Sequence, residues 1–298
     1  MHCDTYVRPF VCKGDDVHKE TIEYILANGF KDENPRPHYA DGTPAHTIAI
    51  SNVMAYFDIE DGESPLITLR PIAWKSAIKE MLWIWQDQSN DLNLLRDKYG
   101  ITWWDNWALP DRTIGACYGE TVRRHNLIHG LLDDIKNNPY GRRHIASLWQ
   151  EDDFKEPHAL KPCAFMTMHT VRTSSKDPNK KVLDTTLVIR SSDFVTAGAI
   201  NMFQYTALQA MIARHCGLEP GVFTCFMQNV HIYDRHIEAA KELAARSIIP
   251  CRPKLTINPD KTDFFSITID DFTLEDYPID KIKERNPQMT VFRDEIAI

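Results

Sequence analysis

The chain predicts an α+β fold: a single domain over residues 1–298, built on one large mixed β-sheet flanked by helices. Three observations predict it. Helical and strand-like stretches are interspersed without the regular beat of βαβ units. Hydrophobic residues make up 43% of the 298 residues, enough to fill one large core. There is no internal repeat and no low-complexity segment, and residues 174–181 (SSKDPNKK) read as a hairpin-like turn rather than a linker.

Each element has a local reason. Val17, Ile22, Ile25 and Leu26 fall near helical spacing, and Gly29 ends that helix. Residues 29–43, rich in Pro, Asp and Asn and containing Arg36 and His38, read as a loop. Residues 46–59 alternate as a strand does. Residues 74–85 (WKSAIKEMLWIW) are apolar on most sides and predict a buried helix, and 122–135 predict a second helix. Strands are expected over 143–149, 163–173 and 182–189. A long apolar helix follows over 200–214, then a strand over 222–233 and a polar helix through Arg246. Residues 264–269 read as a last strand.

Composition narrows the function classes. Net charge is −8 and no basic stripe is visible, which argues against long nucleic acid but leaves room for a small anion held by a few arginines. No apolar run approaches the length of a membrane span, and the N-terminus lacks a secretory pattern. The seven cysteines (Cys3, Cys12, Cys117, Cys163, Cys216, Cys225 and Cys251) are scattered with no CxxC pair. That pattern suggests neither a zinc site nor a disulfide framework, and it fits a reducing cytoplasm.

Four local patterns carry candidate chemistry. In Leu160-Lys161-Pro162-Cys163 a proline fixes the chain just before a cysteine that opens a strand. A nucleophilic thiol needs positive charge nearby, and Arg142-Arg143 and Arg190 are the candidate sources. Taken alone, a buried inert cysteine is the commoner explanation. Arg190-Ser191-Ser192-Asp193 joins a planar guanidinium to hydroxyl donors, which suits a phosphate and equally a surface ion pair. His231 and Tyr233 share a strand face and suit either a sugar hydroxyl or a satisfied core pair. Glu80 lies inside the apolar 74–85 stretch, where a carboxylate needs partners, has a raised pKa and can relay protons; the alternative is a solvent-facing position. Trp104, Trp107 and Tyr118 suit the floor of a flat-ring pocket, or plain core.

The order of these motifs is more specific than any one of them. From about residue 41 to 298, the succession DGTPAHT, IKEMLWIWQ, WWDNW, NPYGRRHI, LKPC, RSSD, INMFQY, HIYDRH and TIDDF resembles the folate-dependent thymidylate synthases. The resemblance implies that fold and a set of roles. Cys163 matches the nucleophile that adds to carbon 6 of uracil. Arg190 and Ser191 match phosphate ligands. Arg142 and Arg143 match the pair that reaches across a homodimer to the partner's phosphate. Asn201 matches the asparagine that reads the pyrimidine edge, since its amide both donates and accepts. His231 and Tyr233 match the ribose-holding pair. Glu80 matches the proton-network glutamate and Tyr118 the tyrosine near the carbon 5 proton. Asp193 and Trp104 match folate contacts, and Ile298 the terminal residue that closes over the folate. The implied cosubstrate is 5,10-methylenetetrahydrofolate, with a pyrimidine nucleotide monophosphate as substrate and no metal. Thiolate addition turns carbon 5 into part of an enolate, which attacks the folate-borne carbon.

The chain also departs from the family pattern. Thr196-Ala197-Gly198-Ala199-Ile200 stands where most members carry Leu-Gly-x-Pro-Phe. Gln228-Asn229 replaces Gly-Asp, Ala164 replaces a frequent histidine, and Met168 replaces a frequent glutamine. The departures cluster near base and folate rather than phosphate, so they bear on the fate of the exocyclic methylene. Hydride gives a methyl group and dTMP. Water gives a hydroxymethyl group, the second reading, on dUMP or, as lesser candidates, CMP or dCMP. A third reading, a non-catalytic nucleotide-binding relative, keeps the arginines without needing Cys163. A cysteine hydrolase has little support, because His169 lies six residues along the same strand.

Overall fold

Six strands form the main sheet: β1 (Phe30–Lys31), β2 (Thr47–Asp58), β3 (Ile145–Ser147), β4 (Ala164–Thr173), β5 (Lys181–Asp193) and β6 (Glu219–Tyr233). The computed structural model describes residues 12–156 and 160–297, and the strands lie in the order β1-β2-β6-β5-β4-β3. All neighbours pair antiparallel except β5 with β6, which run parallel, so the sheet is mixed as expected. A parallel pair needs a long crossover. Helix α6 (Ala199–His215) supplies it, entered through a π-helical turn over Phe194–Gly198.

Alternation decides which face of the sheet is covered. Ala55, Cys225, Leu187 and Thr167 lie in register on one face, as do Phe57, Phe223, Thr185 and His169. These residues are buried, and α6 packs on β5 and β6. Gln209 of α6 pins the crossover by donating to the Leu183 and Val222 carbonyls at 2.7 and 3.0 Å. Helix α2 (Trp74–Trp85) packs on α6, burying Trp83 and Trp85, while α1 (Lys13–Asn28) packs on β2 and on α7 (Ile237–Ala245). His169, the base a hydrolase would need, sits between Thr185 and Thr167 hydroxyls, and burial lowers its pKa to about 3.

The opposite face carries Met54, Phe226, Val188 and Met166 in one row, and Tyr56, Thr224, Thr186, Met168 and Ile145 in the next. Several are well exposed: Met54 at 69%, Ile145 at 50%, Tyr56 at 46% and Met168 at 37%.

Several elements differ from expectation. Residues 122–135 are not one helix: α4 (Gly119–Arg124) and α5 (Leu127–Asn137) are separated by Asn126, whose left-handed backbone (φ 50°) ends the first and redirects the second. Helix α3 (Leu92–Tyr99) was not anticipated, although Asp91 caps its start and the left-handed Gly100 its end. Residues 264–269 are not a strand. They form tight turns because Gln86 donates to the Phe264 and Ile267 carbonyls, giving them side-chain partners in place of a ladder. The final strands are β7 (Lys254–Ile257) and β8 (Phe272–Glu275), a separate antiparallel pair, followed by α8 (Ile279–Arg285) and α9 (Val291–Asp294). β5 runs past Ile189 to Asp193, so Arg190, Ser191 and Asp193 are strand residues held by pairing to β6.

Gly119 opens α4 against the backbone of Ser89: a methyl group there would lie 2.1 Å from the Ser89 carbonyl oxygen and 2.4 Å from its nitrogen. Gly119→Ala should therefore lose about 1–3 kcal/mol of stability through overpacking, read by denaturant unfolding. A wild-type unfolding midpoint would show that this approach is not constrained.

Candidate active site

Cys163 is half-buried and immediately precedes β4. Its carbonyl accepts from the Arg190 amide at 2.9 Å, and its amide donates to the Tyr118 hydroxyl at 3.2 Å. The Arg190 side chain donates from Nε to the Pro162 carbonyl (3.0 Å) and from Nη2 to the Lys161 carbonyl (2.6 Å). The arginine thus holds the turn that presents the thiol. Burial pushes the Cys163 thiol above its ordinary pKa, and the cations of Arg190 and then Arg36 oppose the shift. Arg142 and Arg143 are not the charge source at the thiol in this chain. They are exposed on the loop between α5 and β3, and they make no ion pair or hydrogen bond among the described residues.

Tyr118 caps α4 with an unusual backbone (φ 48°, ψ −113°). Its ring lies 5.4 Å from that of Trp104, which in turn meets Trp107 edge-on at 5.6 Å. Burial raises the Tyr118 pKa well above its ordinary value, so it stands as a neutral phenol.

Glu80 faces inward from α2 and is only 7% exposed, which removes the solvent-facing alternative. Its carboxylate accepts from the indole nitrogens of Trp103 (2.9 Å) and Trp104, and from Gln204 Nε2 (2.6 Å). Burial raises its pKa and the three donors hold the rise in check. Gln204 also donates to the Ala77 carbonyl at 3.0 Å, so it locks α6 to α2. Asn201 lies one turn earlier on α6, half-buried, at the i, i+3 spacing that puts both amides on one side of the helix.

The β5–β6 pairing assembles the remaining residues. Ser191 lies opposite Asn229, and Asp193 opposite His231. The Oδ1 atom of Asp193, the Ser192 hydroxyl and the Thr196 hydroxyl are buried with no hydrogen-bond partner among the described residues. His231 bonds Asn229 Oδ1 through Nδ1 at 2.8 Å, and burial holds it neutral. The His231 and Tyr233 rings meet edge-on at 5.1 Å, as their shared strand face predicts. Burial, then Asp193, pushes the Tyr233 phenol up to about 12. The substituted segment around Ala197 is the π-helical turn itself, whose Val195 and Thr196 carbonyls accept from the buried Arg70 at 3.0 and 2.8 Å. Ile298 lies outside the described residues.

Arg36, Gln204 and Arg70 are the residues that sequence reasoning missed. Gln204 had a signal, as one of three amides within an otherwise apolar helix. Arg36 and Arg70 had none, since their roles come from segments distant in the chain.

The thymidylate synthase family model matches residues 16–287. A thymidylate synthase of Streptococcus gordonii is 48% identical over 267 residues, covering 89% of this chain and 95% of that one. One of Lactococcus lactis subsp. lactis is 46% identical over 264 residues, covering 88% and 94%. The solved structure of the thermostable thymidylate synthase A of Bacillus subtilis superposes with a TM-score of 0.82 at 35% identity, covering 96% of this chain and 99% of that one.

Because Arg36 lowers the Cys163 pKa, Arg36→Ala should move the pH profile of Cys163 alkylation by iodoacetamide toward higher pH. Labelling would be slower at each pH below the plateau, as read by peptide mass. A superimposable profile would place the Arg36 charge out of reach of the thiol.

Proposed function

The chain belongs to the thymidylate synthase family, and on that premise we propose that Cys163 is the nucleophile of a site shared by a uracil nucleotide and a reduced folate. The protein is a one-carbon transferase that methylates dUMP at carbon 5 to give dTMP. Relatives carrying the thymidylate synthase name over nearly their whole length favour the methyl product over the hydroxymethyl one, and an enzyme over a non-catalytic relative.

The observation that carries the site assignment is the continuity around Cys163: two cations act on its thiol, its amide rests on Tyr118, and Tyr118 leads through Trp104 to Glu80. The thiolate adds to carbon 6 of uracil, and carbon 5 bonds to the methylene carbon of 5,10-methylenetetrahydrofolate. Loss of the carbon 5 proton then breaks the bond from the methylene carbon to the folate nitrogen and leaves an exocyclic methylene, and hydride from the freed tetrahydrofolate adds to that carbon as the sulfur leaves carbon 6, giving the methyl group and dihydrofolate. Arg190 and Ser191 hold the 5′ phosphate, and Asn201 reads the ring through its amide. His231 and Tyr233 hold the ribose hydroxyl. Tyr118 and Glu80 handle protons, both being protonated more readily than their free counterparts. Trp104, its indole fixed by Glu80, supports the folate, and Ile298 closes over it. Asp193 Oδ1, which has no donor among the described residues, fits a folate N–H.

The homodimer rests on two features. The open sheet face carries rows of apolar side chains, and a patch of that kind calls for a partner surface. Arg142 and Arg143 have no ion-pair partner among the described residues, which fits a role in the partner's phosphate site. Free thiols at Cys12, Cys117, Cys163, Cys216, Cys225 and Cys251 support the cytoplasmic setting.

Mixing protein, dUMP and methylenetetrahydrofolate should give dihydrofolate, seen as an absorbance rise, and a nucleotide of dTMP mass. Product without dihydrofolate would identify the hydroxymethylase instead. Cys163→Ser should bind dUMP while turnover falls by about a thousandfold or more, a loss typical of a missing nucleophile; retained turnover would remove Cys163 from the mechanism. Arg142→Ala/Arg143→Ala protein mixed with Cys163→Ser protein should regain activity that neither has alone. No recovery, after subunit exchange is verified, would rule out arginines shared across the dimer.

A further inference from the structure

Arg235 follows the His231–Tyr233 pair, in the turn Asp234–His236 that joins β6 to α7. Its guanidinium meets two segments far apart in sequence. Nη2 donates to Asp41 Oδ2 at 2.6 Å and to the Thr43 hydroxyl at 2.7 Å. Nη1 donates to Glu295 Oε2 at 2.6 Å. The plane is backed by Tyr39, whose ring centre lies 3.9 Å from the guanidinium carbon, and the Tyr39 hydroxyl bonds Asp234.

The first segment carries a substrate-side cation. Residues 37–45 close on themselves, with the Tyr39 amide donating to the Thr43 carbonyl (2.9 Å) and the Ala45 amide to the Pro37 carbonyl (3.0 Å). Arg36, whose charge reaches both Cys163 and Tyr233, stands at the base of this closed loop. Arg235 grips its tip. The second segment is the chain's end. Phe292 of α9 meets His236 edge-on at 5.4 Å and lies under Arg70, 5.8 Å from its guanidinium carbon. Arg70 in turn holds the carbonyls of the π-helical turn that follows Asp193. One side chain therefore joins the loop on the nucleotide side to the segment on the folate side.

We propose that Arg235 is a positioning residue that couples the two substrate sites, so that seating the Arg36 loop beside the nucleotide also seats the C-terminal segment on the folate. The proposal rests on the functional reading above. A guanidinium suits the task because its planar fork presents separate N–H groups to Asp41 and Glu295 at once. With Asp41 and Thr43 in place, Nη2 is fixed and Nη1 is aimed at Glu295. A lysine ammonium, a single point on a flexible stem, cannot hold both in a fixed relation. Each exposed ion pair adds little by itself. Their effect is on the relation between the two sites, which is a coupling free energy.

The test measures tetrahydrofolate affinity by quenching of tryptophan fluorescence, with and without saturating dUMP. In the wild type, dUMP should tighten folate binding by about tenfold or more, within the usual range of site-to-site coupling. In Arg235→Gln and in Glu295→Gln that factor should fall to about threefold or less, and the double variant should lose no more than either single one. Arg235→Lys should fall between. A role in folding alone would lower thermal stability or both affinities and leave the factor unchanged, and that result in either variant overturns the proposal. A wild type that is trapped by 5-fluoro-dUMP and methylenetetrahydrofolate, yet shows no coupling, also overturns it and leaves the functional reading standing. A wild type that forms no covalent adduct overturns the functional reading, and the coupling with it.

Discussion

A carboxylate buried in an apolar helix is tolerated only if donors come to it, and the structure is organised around meeting that demand at Glu80. Its donors arrive from elsewhere in the chain: Trp103 and Trp104 from the loop after α3, and Gln204 from α6. Because these bonds are needed, they set the spacing between α2 and α6 and fix the Trp104 ring. Trp104 then limits where Tyr118 can lie, and Tyr118 receives the amide of Cys163. Removing any donor would leave buried charge under-satisfied, a cost of several kcal/mol by the usual scale for such sites.

The thiol reflects the opposite balance. Burial disfavours its ionised form, and the cations of Arg190 and Arg36 oppose burial without overcoming it. The Cys163 side chain is therefore held mostly as a thiol, and further positive charge nearby would tilt it toward thiolate. The same Arg190 ties down the Lys161 and Pro162 carbonyls, so the group that tunes the sulfur also aims it.

The two faces of the sheet differ. One face is sealed by α6 and the aromatic core of α2. The other presents Met54, Tyr56, Met168 and Ile145 to the outside. The parallel pairing of β5 with β6 places Asp193 beside His231 at the end of the sheet, and the π-helical turn then starts α6. Stabilising that turn requires the buried Arg70, whose pKa burial lowers to about 10. The core, the turn that follows Asp193 and the C-terminal segment therefore meet at one junction.

Much of this was legible in the chain itself. Alternation over 46–59 pointed to a strand, 222–233 read as another, and a carboxylate inside 74–85 needed either partners or solvent. The order of motifs pointed to a covalent pyrimidine chemistry centred on Cys163. Period-two spacing put His231 and Tyr233 on one face, where their rings meet. Local patterns sufficed there because the physics is local: side-chain period and the cost of burying charge. The tertiary structure decided the rest. It broke 122–135 at Asn126, turned 264–269 into loops by offering Gln86 as a partner, and carried β5 through to Asp193 by pairing with β6. It kept Arg190 as a cation near Cys163 and added Arg36 in place of Arg142 and Arg143, and it made Arg235 the link between residues 41 and 295. Such outcomes depend on which distant segments meet, and spacing along the chain carries no record of that.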